Sequence, residues 1–89
     1  MFYTPFPMAI LSREPVTALV AFKMGRAKPI QFLWGNRTYQ IKTVDLTYSE
    51  WKGRSKIHYF SVHDGTNSFR LSYVSDTLQW FVETEELLL

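Results

Sequence analysis

The chain contains no cysteine among its 89 residues, which excludes a disulfide framework, a cysteine nucleophile and any thiolate metal site. A cytoplasmic setting is the expectation that follows. No apolar run approaches the ~18 residues that a membrane helix requires, so no membrane role is expected. The apolar start, Met1-Phe2-Tyr3-Thr4-Pro5-Phe6-Pro7-Met8, has no basic residues and is broken by two prolines, so it makes a poor secretory signal. Also missing are an internal repeat, a Gly/Ser linker and a helical apolar period over about eleven residues. There is no glycine-rich phosphate loop, zinc-ligand spacing or serine in a nucleophile elbow. These absences argue against an enzyme, and no cofactor or metal is expected.

What the chain does have is aromatic mass: seven Phe, five Tyr and three Trp. A domain this short buries only somewhat more than ~60% of its unfolded surface, so large side chains must supply the core. The length suits one domain. Ten basic residues against eight acidic ones give a net charge of only +2. The charge is unevenly placed, however. Lys23 to Lys56 carries eight bases and two acids, net +6, and Ile57 onward carries one base and five acids, net −4.

The apolar period is two, which signals strands. Val16 to Phe22 is apolar on both faces and reads as a buried first strand, with Met24 to Pro29 as a breaker. Ile30, Phe32 and Trp34 follow on one face, and Gly35-Asn36 suits a two-residue hairpin turn that pairs Phe32 with Tyr39 and Ile30 with Ile41. The apolar parity then switches to Val44, Leu46 and Tyr48, which requires a bend near Lys42-Thr43. A loop from Trp51 to Ser55 sets Val44 against Val62 and Leu46 against Phe60. Asp64-Gly65, read as a two-residue turn, aligns Phe60 with Phe69 and His58 with Leu71. Ser75-Asp76 aligns Leu71 with Trp80, Phe69 with Val82 and Tyr73 with Leu78. Every register sets apolar against apolar. The expected fold is therefore all-β, a six-strand antiparallel meander forming a small barrel or strongly curled sheet. Residues 1–13 form an apolar arm, 14–86 the single β domain and 87–89 an apolar tail.

The succession Phe32-x-Trp34-Gly35, Tyr39-x-Ile41, Trp51, Tyr59-Phe60-x-Val62, Gly65, Phe69-x-Leu71-x-Tyr73 and Trp80-x-Val82 resembles an uncharacterised family of small bacterial all-β domains. Those domains occur alone or at the C-terminus of Y-family DNA polymerase-like proteins of mutagenic repair. The resemblance runs from about Lys28 to Glu83 and leaves the first strand outside. It implies an accessory or binding role near DNA metabolism and brings no catalytic residues with it.

The same registers place Tyr59, Arg70 and Phe81 in one cross-strand row on the face opposite the core, with Thr47 at its end. An arginine between two rings could stack bases or hold a phosphate. The alternative is a second small core, covered by the terminal segments or by another copy of the chain. A second candidate is the basic middle, where Lys52, Arg54 and Lys56 cluster beside Trp51 and meet Arg26 and Lys28 only if those two ends come together. His58 and His63 point to opposite faces and cannot share a metal, and Asp64 is expected to cap its turn. The leading expectation is a protein-interaction or self-associating module with a protein partner or second copy. The alternative is a nucleic-acid-binding accessory domain of DNA repair or replication.

Overall fold

The computed structural model describes the backbone over residues 8–88 and the side chains over 12–84. Strands β1 (Met8–Lys23), β2 (Arg26–Trp34), β3 (Arg37–Gln40), β4 (Thr43–Lys52), β5 (Ser55–His63), β6 (Ser68–Val74) and β7 (Gln79–Leu88) alternate with short turns. They form one antiparallel sheet in the order β3-β2-β1-β7-β6-β5-β4. The sheet curls strongly into a half-barrel. The described residues include no helix, and so none long and apolar enough to cross a membrane.

The expected third strand is present as two, because the chain bends at Ile41-Lys42. There Ile41 donates its N–H to the Ile30 carbonyl on β2 (2.9 Å) and Lys42 donates to the His63 carbonyl on β5 (2.8 Å). The bend thus joins the two ends of the curled sheet at one corner. β1 begins at Met8, opposite Leu88 of β7. Part of the expected arm, 8–13, and of the expected tail, 87–88, is therefore strand; residues 1–7 and 89 lie outside the described residues.

Of the four expected turns three differ; the loop expected over Trp51 to Ser55 is the two-residue turn Gly53-Arg54 between the paired Lys52 and Ser55. Gly35-Asn36 pairs Phe32 with Tyr39 as expected. Asp64 to Asn67 is a four-residue turn, not a two-residue one, so Phe60 faces Leu71 and Val62 faces Phe69. The Asp64 carboxylate accepts the N–H groups of Thr66 (2.8 Å) and Asn67 (2.6 Å), and its own N–H donates to the Asn67 carbonyl (3.1 Å). Ser75 to Leu78 is likewise four residues long, closed by Leu78 at a φ of 60°, and it sets Leu71 against Val82 and Tyr73 against Trp80. Each of these two longer turns is a slip of two residues, which leaves every side chain on its expected face.

A further correction does change a face. A bulge between Val44 and Leu46 reverses the alternation along β4. Leu46 therefore points outward and is 57% exposed, while Thr47 lies opposite Phe60. Phe32, Phe60, Val62, Leu71, Trp80 and Val82 make the core on the concave face. Phe32 stacks on Tyr39 (5.0 Å), with Phe69 edge-on to both, and Tyr73 stacks on Trp80 (4.8 Å). Each large ring buried here contributes about 1.5–3 kcal/mol.

Candidate interaction site

The hydrogen-bonding direction of each residue along β4 follows from its neighbours. Lys56 accepts the Ser75 N–H at its carbonyl, so the even-numbered residues of β5 turn their main-chain groups toward β6. In an antiparallel ladder the odd-numbered ones must then turn toward β4. Their partners there are Leu46, Tyr48 and Glu50, opposite Ser61, Tyr59 and Ile57. The main-chain groups of Thr47, Ser49 and Trp51 therefore point away from the sheet, on an edge that pairs with no other described strand. Edges of this kind are templates for strand pairing.

Opposite that edge lies the first half of β2. β3 covers β2 only from Gln31 to Trp34, so Arg26 to Pro29 has β1 on one side and no described strand on the other. From the corner at Ile41-Lys42 the two edges diverge, leaving a seam in the wall of the half-barrel. Two cavities lie along it. One, of about 470 Å3, lies between Phe22 and Arg26 on one wall and Thr47, His58 and Tyr73 on the other. The second, of about 490 Å3, lies between Lys28 and Pro29 on one wall and Lys42 and Val44 on the other. Among the described residues no aspartate or glutamate lines either cavity.

The β1–β2 turn reaches this seam through Met24 and Gly25, whose φ angles are 53° and 77°. Two successive positive φ values match the strand twist of a tight hairpin. Methionine seldom adopts that conformation; the sequence reads Met24 to Pro29 as a breaker, brings in Arg26 only through its basic clustering, and gives no sign of Phe22 as a site residue. The pair Met24-Gly25, one residue after an apolar strand, is the signal that was available.

The expected site residues fall into two groups. Trp51, Lys52 and Arg54 are exposed at the β4–β5 hairpin, where Trp51 lies on the concave side with the Lys56 ammonium 5.8 Å from its ring. His58 is the next concave position inward on β5, and it lines the cavity opposite Arg26. Arg26 and His58 thus line one opening, with Trp51 and Lys56 further out along β4 and β5, while Lys52 and Arg54 line neither cavity. Tyr59, Arg70 and Phe81 do share the convex face, yet they make no open platform. Tyr59 is only 2% exposed. It stacks on Tyr48 (4.9 Å) beneath the Arg70 guanidinium (4.9 Å). The longer turns change the row: Ser72 stands opposite both Tyr59 and Phe81, and Arg70 stands between Ser61 and Glu83. Phe81 is half-buried under the Arg13 guanidinium, 4.4 Å from its ring.

Among the described residues two ionisable groups are shifted, and both are committed to structure. Burial alone would disfavour the Arg70 cation, but the hydrogen bond and charge of Glu83 outweigh that and hold it above its ordinary value. The N–H groups of Asn67 and Thr66 lower the Asp64 carboxyl. The two histidines are apart: His58 faces Tyr73 (5.9 Å), and His63 accepts the Gly65 N–H at Nδ1 (2.9 Å).

Comparison with protein-family models, with curated proteins and with solved structures gives no significant match. The site is therefore read from its own chemistry.

Proposed function

We propose that this chain is a non-catalytic interaction module that binds an extended segment of a partner protein as an added strand on β4. The observation that carries this reading is the outward main-chain edge of Thr47, Ser49 and Trp51, set beside an apolar seam. Main-chain hydrogen bonds supply affinity in strand addition, and pockets for alternate side chains supply specificity. The exposed Trp51 and Leu46 flank the edge on its two faces. The absence of catalysis goes with the commitment of both shifted groups, Asp64 to its turn and Arg70 to Glu83, since catalytic groups are ordinarily shifted within an accessible cleft. A cytoplasmic setting suits a domain without cysteine.

Selection from a displayed library of random decapeptides tests the reading. Binders should be enriched on the native chain and lost on Ser49→Pro, which removes one outward N–H. No enrichment, or binders indifferent to Ser49→Pro, would overturn it.

A second reading rests on a different observation. Trp51 with Lys56 on one side of the seam and Arg26 on the other combine a ring with cations, as single-stranded nucleic-acid sites do. It accords with the polymerase-associated resemblance. An affinity for oligothymidylate that falls steeply with added salt supports this reading, and unchanged tryptophan fluorescence at low salt removes it.

A further inference from the structure

We infer that the segment received by the seam is acidic, with apolar and carboxylate side chains in alternation; this deepens the strand-addition reading and rests on it. Three features select that occupant. The first is an asymmetry between the two edges. On β2, Pro29 is buried at the seam and has no N–H to offer, as is common where a sheet edge is guarded against pairing. From Leu46 to Trp51, β4 carries no proline. An incoming strand must pair with β4 and lie beside β2 without a full ladder to it.

The second feature is charge. Arg26, Lys28 and Lys42 line the cavities and no acidic residue among the described ones does; on the β4 side Glu50 alone stands on the convex face of the free edge, against the three cations. Arg26 and Lys28 are exposed, whereas Ala27 and Pro29 between and beside them are partly or fully buried. The β2 wall therefore presents cations on its convex rim and apolar groups inward. The third feature is the alternation of an extended segment itself. Successive side chains of an added strand point to opposite faces, so one set enters the cavities beside Phe60 and Tyr73 and the other emerges along the cationic rim. Apolar residues suit the first set and carboxylates the second. The free edge from Leu46 to Trp51 spans about 20 Å at ~3.3 Å per residue, enough to engage about six residues of partner.

The test is a titration of the intact chain, followed by tryptophan fluorescence and calorimetry. The probes are an end-capped octapeptide of alternating valine and glutamate, its valine–lysine counterpart and oligothymidylate. The glutamate peptide is expected to bind at least about tenfold more tightly than the lysine peptide, with the preference reduced by salt. Arg26→Glu/Lys28→Glu should reverse that preference while leaving the melting temperature near the native value. Ser49→Pro should abolish binding of both peptides. Equal affinity for the two peptides, with binding still lost in Ser49→Pro, would overturn the acidic occupant and leave strand addition standing. Binding that survives Ser49→Pro would overturn both. Tighter oligothymidylate binding that is lost in Arg26→Glu/Lys28→Glu would assign the seam to nucleic acid. A concentration-dependent mass that Ser49→Pro abolishes would assign it to a second copy of the chain. Either of those results overturns the proposal.

Discussion

Arg70, on β6, donates from its guanidinium to the Tyr48 hydroxyl on β4 (2.9 Å) and so crosses the ring of Tyr59 on the strand between them. The same guanidinium donates from Nε to Glu83 on β7 (2.7 Å). One side chain therefore ties four adjacent strands on the convex face. The face that sequence periodicity marks as wet is a second layer of structure, and its arginine is a clamp.

Arg70→Ala should lower stability by about 2 kcal/mol. The Glu83 side chain is only 4% exposed against 40% for Arg70, so the loss leaves a buried carboxylate without its partner. The half-open arginine keeps the cost below that of a fully buried pair. Removing both charges in Arg70→Met/Glu83→Leu should restore most of the loss, because the desolvation penalty disappears with them. Urea unfolding measures both. A single variant within about 0.5 kcal/mol of the native chain would show that the clamp contributes little.

Asp64 gives the acid limb of stability a defined origin. Its carboxyl is lowered from an ordinary value of 3.8 by the N–H groups of Asn67 and Thr66, so the folded chain binds fewer protons there than the unfolded chain. That contribution is fully present above the ordinary value and is lost as the pH falls through the lowered one. Asp64→Asn keeps an acceptor oxygen but cannot be protonated in this range. Its melting temperature should therefore fall less steeply than that of the native chain between about pH 5 and about pH 2. Parallel curves for the two proteins would remove Asp64 from the account.

Much of the fold was legible in alternation. Strand order along the chain and the inward faces of β5 to β7 follow from period-two patterning, and a parity switch put a bend near Lys42-Thr43, one residue from the observed break at Ile41-Lys42. The turn lengths were not legible, because Asp64-Gly65 carries the signature of a two-residue turn while its carboxylate organises four. Nor was the bulge at Asp45, which exposes Leu46 and carries Thr47 inward, since one extra residue in a strand leaves no mark in composition. At the candidate site, Trp51, Lys52 and Arg54 were named from charge clustering. Arg26 was named only as part of a basic edge that needed two ends to meet, and Phe22 was hidden by a turn that places methionine at positive φ. Tyr59, Arg70 and Phe81 were placed on one face, with a stacking platform and a covered second core both left open, because burial of that face depends on side chains reaching across strands.

Ser72 is fully buried, and its hydroxyl finds no hydrogen-bond partner among the described residues. Such a group loses water on folding without compensation. Ser72→Ala should therefore be neutral or stabilising by up to about 1 kcal/mol, an unusual outcome for truncation at a buried position. Ser72→Val should be worse than Ser72→Ala, because added methyl groups would press against residues that flank it between Tyr59 and Phe81. Thermal unfolding of the pair decides it. A loss of about 1 kcal/mol or more in Ser72→Ala would show that the hydroxyl has a partner after all.

Proline scanning of β4 tests the edge itself, independently of any partner. At Ser49 the main-chain N–H points away from β5, so Ser49→Pro removes no bond of the sheet and should cost about 1 kcal/mol or less, chiefly from the fixed φ. At Tyr48 the N–H belongs to the ladder with Tyr59. Tyr48→Pro should lose that bond, the stacked ring and the acceptor for Arg70 together, and cost at least about 3 kcal/mol. Tyr48→Ala separates the terms, since it removes the ring and hydroxyl but keeps the ladder. The order of stability should be native, Ser49→Pro, Tyr48→Ala, Tyr48→Pro. If Ser49→Pro is as damaging as Tyr48→Pro, the outward direction of residues 47, 49 and 51 is wrong, and strand addition at β4 fails with it.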